Sequence, residues 1–109
     1  MQTYYYLLAS QKFLIDEEPL EEVLNERRRY YQEQEKVIDF WFVKQPAFLE
    51  SDGFGDVKNR CPQPAAAVIS TDKTLITWLK LRLEYVITGE FKAPTDTLPD
   101  PLASLEAVH

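Results

Sequence analysis

Residues 36–43, "KVIDFWFV", are almost continuously aromatic or β-branched and stop at a Gln-Pro turn signal. That pattern predicts a strand. Alternate side chains on a strand point to opposite faces. Val37, Asp39, Trp41 and Val43 therefore share one face, and Ile38, Phe40 and Phe42 the other. Both faces are apolar, with a carboxylate, Asp39, in the middle of one. The stretch 2–9, "QTYYYLLA", reads as an earlier strand, and 64–70, around "AAAVIS", as a short buried one.

Two segments carry helical spacing instead. Over about 18–35, Leu20, Val23, Leu24, Tyr30 and Tyr31 recur on one face. Pro19 suits the first turn, and Asp16, Glu17 and Glu18 lie at the positive end of the helix dipole. A second helix is expected over about 72–88, with Thr71 or Asp72 as cap and Gly89 as terminator. Its residues, set at about 100° intervals, form two stripes. Leu75, Ile76, Leu79, Leu83, Val86 and Ile87 make one; Trp78, Leu81 and Tyr85 make the other. The predicted fold is α+β: a sheet of three to four strands with two long helices packed on it, in the order β-α-β-(loop)-β-α-tail. Residues 1–92 form the domain, and 93–109, rich in proline, a loosely held tail with a short helix at its end.

Composition narrows the function. The chain has 109 residues, enough for one core. Its formal net charge is −6, and its only basic run, Arg27-Arg28-Arg29, follows Glu21, Glu22 and Glu26 as in a solvated helix. Nucleic acid is therefore not an expected partner. No apolar run is long enough to span a bilayer, and the amino terminus reads as structure rather than as a signal or transit peptide. Catalytic groups are scarce. Cys61 is the only cysteine, and the only histidine is His109, at the terminus. Neither a metal site, nor a nucleophile with its base, nor a Gly-rich phosphate loop can be assembled from the motifs. We expect no catalytic residues, no metal and no cofactor.

Two charged residues stand out. Arg82 lies between the helical stripes, with Trp78 four residues before it and Tyr85 three after. It either lays its stem over its neighbours with its head in water, or is held in an aromatic frame to receive a carboxylate. Asp39 is either paired inside the protein, with Arg82 a candidate, or sits on an apolar surface that binds something. Two helices cover one sheet face and leave little but the tail for the other, so an apolar interaction patch on that face is expected.

The strings "TYYYLLASQKFL", "YYQEQEKVIDFWFVKQPAFLE", "CPQPAAAVIS" and "TWLKLRLEYVITGEF" together resemble one family across about residues 2–106, with 51–60 matching least. It is the small accessory subunit of the oxygen-dependent magnesium-protoporphyrin IX monomethyl ester cyclase, a hypothetical chloroplast reading-frame family of cyanobacteria and plastids. The resemblance implies a non-catalytic accessory or assembly factor of chlorophyll biosynthesis. Its implied partner is the membrane-associated di-iron subunit that closes the isocyclic ring to give protochlorophyllide, with other chlorophyll-biosynthesis enzymes as further partners. The implied location is the cyanobacterial cytoplasm or plastid stroma, peripheral to thylakoids. It further implies an interaction surface involving Asp39, Phe40 and Arg82, which match directly in "IDFW" and "KLRLEY"; Trp78 and Tyr85 join it as the expected frame of Arg82. The competing reading is a tetrapyrrole carrier that escorts the cyclase substrate or product on the same apolar, aromatic face.

Overall fold

The computed structural model describes residues 2–51, 53–83, 85–96 and 98–105. Strand β1 (Gln2–Ser10) leads through a π-helical turn (Lys12–Glu17) into helix α1 (Leu20–Glu33). Strand β2 (Phe40–Lys44) is followed by a 3-10 turn (Ala47–Glu50) and the short helix α2 (Gly55–Arg60). Strand β3 (Ala65–Ser70), helix α3 (Lys73–Arg82) and strand β4 (Ile87–Ala93) complete the element order. The strands form one sheet in the order β2-β3-β1-β4, with every neighbouring pair antiparallel. Hence β1 and β2 run parallel with β3 between them, and β3 and β4 run parallel with β1 between them. Each parallel pair is bridged by a long helix. This is the split β-α-β arrangement, and it realises the α+β class read from the sequence.

Both helices pack on the same sheet face. Leu20, Leu24 and Tyr31 of α1 and Leu75, Ile76 and Leu79 of α3 meet Leu7, Ala9, Phe40, Ala66 and Val68 from the sheet. The alternation expected for the aromatic strand holds: Phe40 and Phe42 face the helices, Trp41 and Val43 the opposite layer. That opposite layer differs from expectation, because the second sheet face is not bare. The 3-10 turn, α2 and the tail cover it, placing Phe48, Leu49, Cys61 and Leu98 against Tyr6, Leu8, Ala67, Ile69 and Phe91. Phe48 stacks on Phe91 at 4.8 Å between ring centroids, and Phe54 meets Phe48 edge-on at 5.3 Å. The irregular, Pro- and Gly-containing segment thus carries its own apolar anchors. The tail is tied down rather than loosely held. Ala47 N donates to Ala103 O at 2.9 Å, Leu105 N to Gln45 O at 2.8 Å, and Leu98 is buried. The short helix expected at the end of the tail is not seen among the described residues, where 101–105 make a turn and an isolated bridge of Ser104 to Pro46; His109 lies outside the described residues.

Two boundaries move for identifiable reasons. The aromatic strand starts at Phe40, not at Lys36. Helix α1 ends in a Schellman motif: Lys36 N donates to Tyr31 O at 2.8 Å and Glu35 N to Gln32 O at 3.1 Å, with Glu35 left-handed at φ 54°. Residues 36–39 carry the chain from that cap to the sheet. Pairing begins only at Phe40, opposite Ser70, where β3 ends. Asp39 is just outside the ladder; its carbonyl accepts Thr71 N at 3.1 Å and Ser70 Oγ at 2.8 Å.

The second helix is shorter than predicted. It is capped by Asp72, whose side chain accepts Thr74 N at 2.9 Å, but it stops at Arg82, and residues 87–93 form β4. The run "ITGEFKA" alternates: Ile87, Phe91 and Ala93 pack on the second layer, while Thr88 and Glu90 line a cleft against α3. Tertiary pairing with β1 outweighs the helical spacing of Val86 and Ile87, and β-branched Val86-Ile87-Thr88 suits a strand. Gly89 is therefore no helix terminator. It pairs with Tyr6 across the ladder, and a Cβ there would lie 2.5 Å from Tyr6 Oη and 2.8 Å from Cζ.

Because Tyr6 is itself buried, its ring cannot swing aside. Gly89→Ala is expected to lower stability by about 1–3 kcal/mol, read as a shifted urea midpoint with unchanged slope. Burial also pushes the Tyr6 hydroxyl above its ordinary 10.0, though the positive field of Arg60 opposes the shift, and burial pushes the Cys61 thiol above 9.0. Both groups ionise more readily in the unfolded chain. Their contribution is complete below those ordinary values and is lost as pH rises through the higher folded ones. Urea midpoints should fall as pH passes 9 to 10, and the fall should be shallower in Tyr6→Phe; an unchanged slope would refute it.

Candidate functional site

The outer surface of the helix layer carries a line of cations and rings. Trp78 is the last large ring on the outer side of α3 and is 40% exposed. Arg82, one turn further on, lies over it at 5.2 Å from guanidinium carbon to ring centroid. Arg27 of α1 approaches the same indole at 5.8 Å and the Tyr31 ring at 5.6 Å. Tyr31 in turn donates its hydroxyl to Asp39 Oδ1 at 2.8 Å. The line runs Arg82–Trp78–Arg27–Tyr31–Asp39 and crosses from α3 over α1 to the start of β2. Each cation–ring contact is worth about 0.5–2 kcal/mol, depending on how dry it is.

Asp39 is therefore not the partner of Arg82; its carboxylate is satisfied by Tyr31. This is possible because residue 39 precedes the ladder, so its side chain is not bound by the strand's alternation. The arginine run is also not simply a solvated face. Arg28 is surface-like, paired with Glu21 at 3.5 Å and bonded to Asn25 Oδ1 at 2.6 Å. Arg27 is half-buried, and its Nε is buried without a hydrogen-bond partner. Reading Glu21, Glu22 and Glu26 as its neighbours hid this. The signal available was the i, i+4 spacing of Arg27 and Tyr31, which places a guanidinium beside a ring on one helix face.

Two expected site residues fall elsewhere. Phe40 is fully buried in the helix-side core, edge-on to Tyr31 at 5.3 Å, with Arg28 capping its ring at 5.6 Å. It supports the surface from beneath and is not itself on it. Tyr85 is 88% exposed but does not frame Arg82. The helix has ended by then, Tyr85 is left-handed at φ 62°, and the i+3 relation is lost. It lines a different cleft, with Phe13, Arg60, Cys61 and Ile87. Leu81, of the same predicted stripe, is 84% exposed. On α1 and α3 themselves Tyr30, Trp78 and Leu81 are the exposed large apolar residues, while the second sheet face is covered.

Among the described residues no group of three or more His, Cys, Asp or Glu side chains is placed to hold a metal ion, and no helix is long and apolar enough to cross a membrane. The arrangement offers recognition: two guanidinium groups flanking an exposed indole, on a chain of net charge −6.

The sequence profile of the Ycf54 protein family matches residues 2–93. The chain belongs to the Ycf54 family. A Ycf54-like protein from Synechocystis is 61% identical over 106 residues, spanning 97% of this chain and 80% of that one. A chloroplastic YCF54 protein of Arabidopsis thaliana is 45% identical, over 93% of this chain and 46% of its own length. The crystal structure of All0216 from Nostoc superposes with a TM-score of 0.94 at 70% identity, covering 95% of this chain and 96% of that one. Ycf54 of Synechocystis superposes at 0.91 with 62% identity, covering 96% and 99%. Ycf54 relatives thus occur in cyanobacteria and plastids, and the cyanobacterial ones of known structure share this α+β fold.

The burial of Phe40 and the exposure of Arg82 separate two kinds of variant. Phe40→Ala is expected to cost about 3–5 kcal/mol, seen as a melting temperature lowered by about 10 °C or more. Arg82→Ala should stay within about 0.5–1 kcal/mol of the parent. Equal melting temperatures for the two would refute the assignment of Phe40 to the core.

Proposed function

We propose that this Ycf54-family chain is a non-catalytic accessory or assembly factor of the aerobic magnesium-protoporphyrin IX monomethyl ester cyclase, acting in chlorophyll biosynthesis by binding the di-iron catalytic subunit. Family membership is one support. The observation that carries the reading is the exposed Trp78 flanked by Arg27 and Arg82, neither of which has an ion-pair partner among the described residues. Solvent-exposed indole beside unpaired guanidinium is the composition of an interface anchor, since Trp and Arg dominate binding energy where they are desolvated by a partner. The protein then works at the thylakoid surface through its partner; among the described residues no helix is long and apolar enough to cross a membrane.

Affinity capture from a detergent-solubilised cyanobacterial or plastid membrane extract, with mass spectrometry of what is retained, tests this. Recovery of the di-iron cyclase subunit is expected. Arg82→Ala, which leaves the fold intact, should weaken that binding by roughly thirtyfold, the equivalent of about 2 kcal/mol. Retention of no chlorophyll-pathway protein by the unaltered chain would overturn the proposal.

A further inference from the structure

The cleft between α1 and α3 is lined by Val23, Glu26, Arg27, Tyr30, Trp78 and Arg82 and has a volume of about 290 Å³. We propose that it is a carboxylate socket: an Asp or Glu side chain of the partner protein seats between Arg27 and Arg82 against Trp78. This rests on the partner-binding function proposed above.

A guanidinium has five N–H donors and normally spends them on carboxylates, carbonyls or water. Neither Arg27 nor Arg82 makes a hydrogen bond or an ion pair with any described residue. The Nε of Arg27 is buried without a partner and so is closed to a docking group; what the cleft offers is the half-exposed remainder of Arg27 together with exposed Arg82. Glu26 is in the cleft wall, yet it lies beyond ion-pair distance from both guanidinium groups. Arg82 also lines the adjoining cleft with Glu18 and Glu22, yet it is in ion-pair distance of neither, so its donors stay unspent although acidic groups surround it.

The unspent guanidinium donors select an anion, and their planar forks select a carboxylate. The methylene stem of such a side chain can lie on the exposed part of Trp78, which shares the cleft with both arginines. Tyr30, also on the rim, is 56% exposed and extends the apolar border. The indole holds both guanidinium groups in place before binding, so little side-chain freedom is lost when the carboxylate arrives.

The test uses the full chain and the purified di-iron cyclase subunit. In Arg27→Lys and Arg82→Lys variants, a zero-length carbodiimide reagent can join the introduced amine only to a carboxylate in direct contact. Mass spectrometry should find an amide from position 27 or 82 to an Asp or Glu side chain of the subunit. Arg82→Gln and Arg27→Gln should each weaken the complex about tenfold at low salt, and the difference from the parent should shrink as salt rises. Arg82 is exposed, so its variants report even if those at Arg27 lose structure by circular dichroism. A complex that forms with unchanged affinity in Arg82→Gln, or cross-links confined to other lysines or to a terminal carboxylate, overturns the socket while leaving partner binding standing. If the unaltered chain forms no complex, both readings fall.

Discussion

Burial of β3 on both faces is the constraint from which the rest of the structure follows. All six residues of Ala65–Ser70 are buried. Ala66 and Val68 meet the helices, and Ala65, Ala67 and Ile69 meet the second layer. With β1 paired on one side and β2 on the other, every backbone group of the strand can be satisfied within the sheet. Three consecutive alanines let both layers approach closely, so the 109-residue chain builds a core on each side of one sheet, where its length had suggested one core and not two. The price is that both layers must be supplied. Helices α1 and α3 supply one; an irregular segment and the tail supply the other.

The helix layer joins fold to recognition. Tyr31 is buried against Phe40 and bonded to Asp39, which locks α1 onto the start of β2. The same tyrosine ring faces Arg27, and Arg27 faces Trp78 of α3. A residue that fastens the core is thus one contact away from the exposed surface. Asp39 and Phe40 influence that surface by holding α1, while Trp78 and Arg82 present it. Changes at the two kinds of position should be read differently, since loss of a support reshapes a surface that loss of an anchor merely depletes.

An acidic protein that keeps two arginines free of carboxylates gains selectivity. Its overall charge discourages other acidic surfaces at a distance, and the unspent guanidinium donors favour one acidic group at contact. Under the proposed function, such a device suits a factor that must discriminate one partner among many.

The sequence alone determined what local pattern can encode. The period-2 alternation of 40–43 placed Phe40 and Phe42 opposite Trp41 and Val43, the helical spacing of Leu20, Leu24 and Tyr31 defined α1, and Asp72 marked the start of α3. The longer strings were enough to indicate the family. Tertiary structure decided the remainder, because its causes lie far apart in the chain. Residues 86–88 satisfy helical spacing as well as strand alternation, and only the free edge of β1 draws Ile87–Ala93 into β4. Residues 36–39 look like strand but have no strand to pair with once β3 ends at Ser70. The second sheet face is covered by Phe48, Phe54 and Leu98, which belong to segments without periodicity. Arg27 reads as one charge in a run of three, and only the packing of α1 beside α3 sets it against Trp78. Local sequence fixes which face each side chain takes; which surface meets that face depends on long-range packing, where competing local preferences are settled by what each segment can bury.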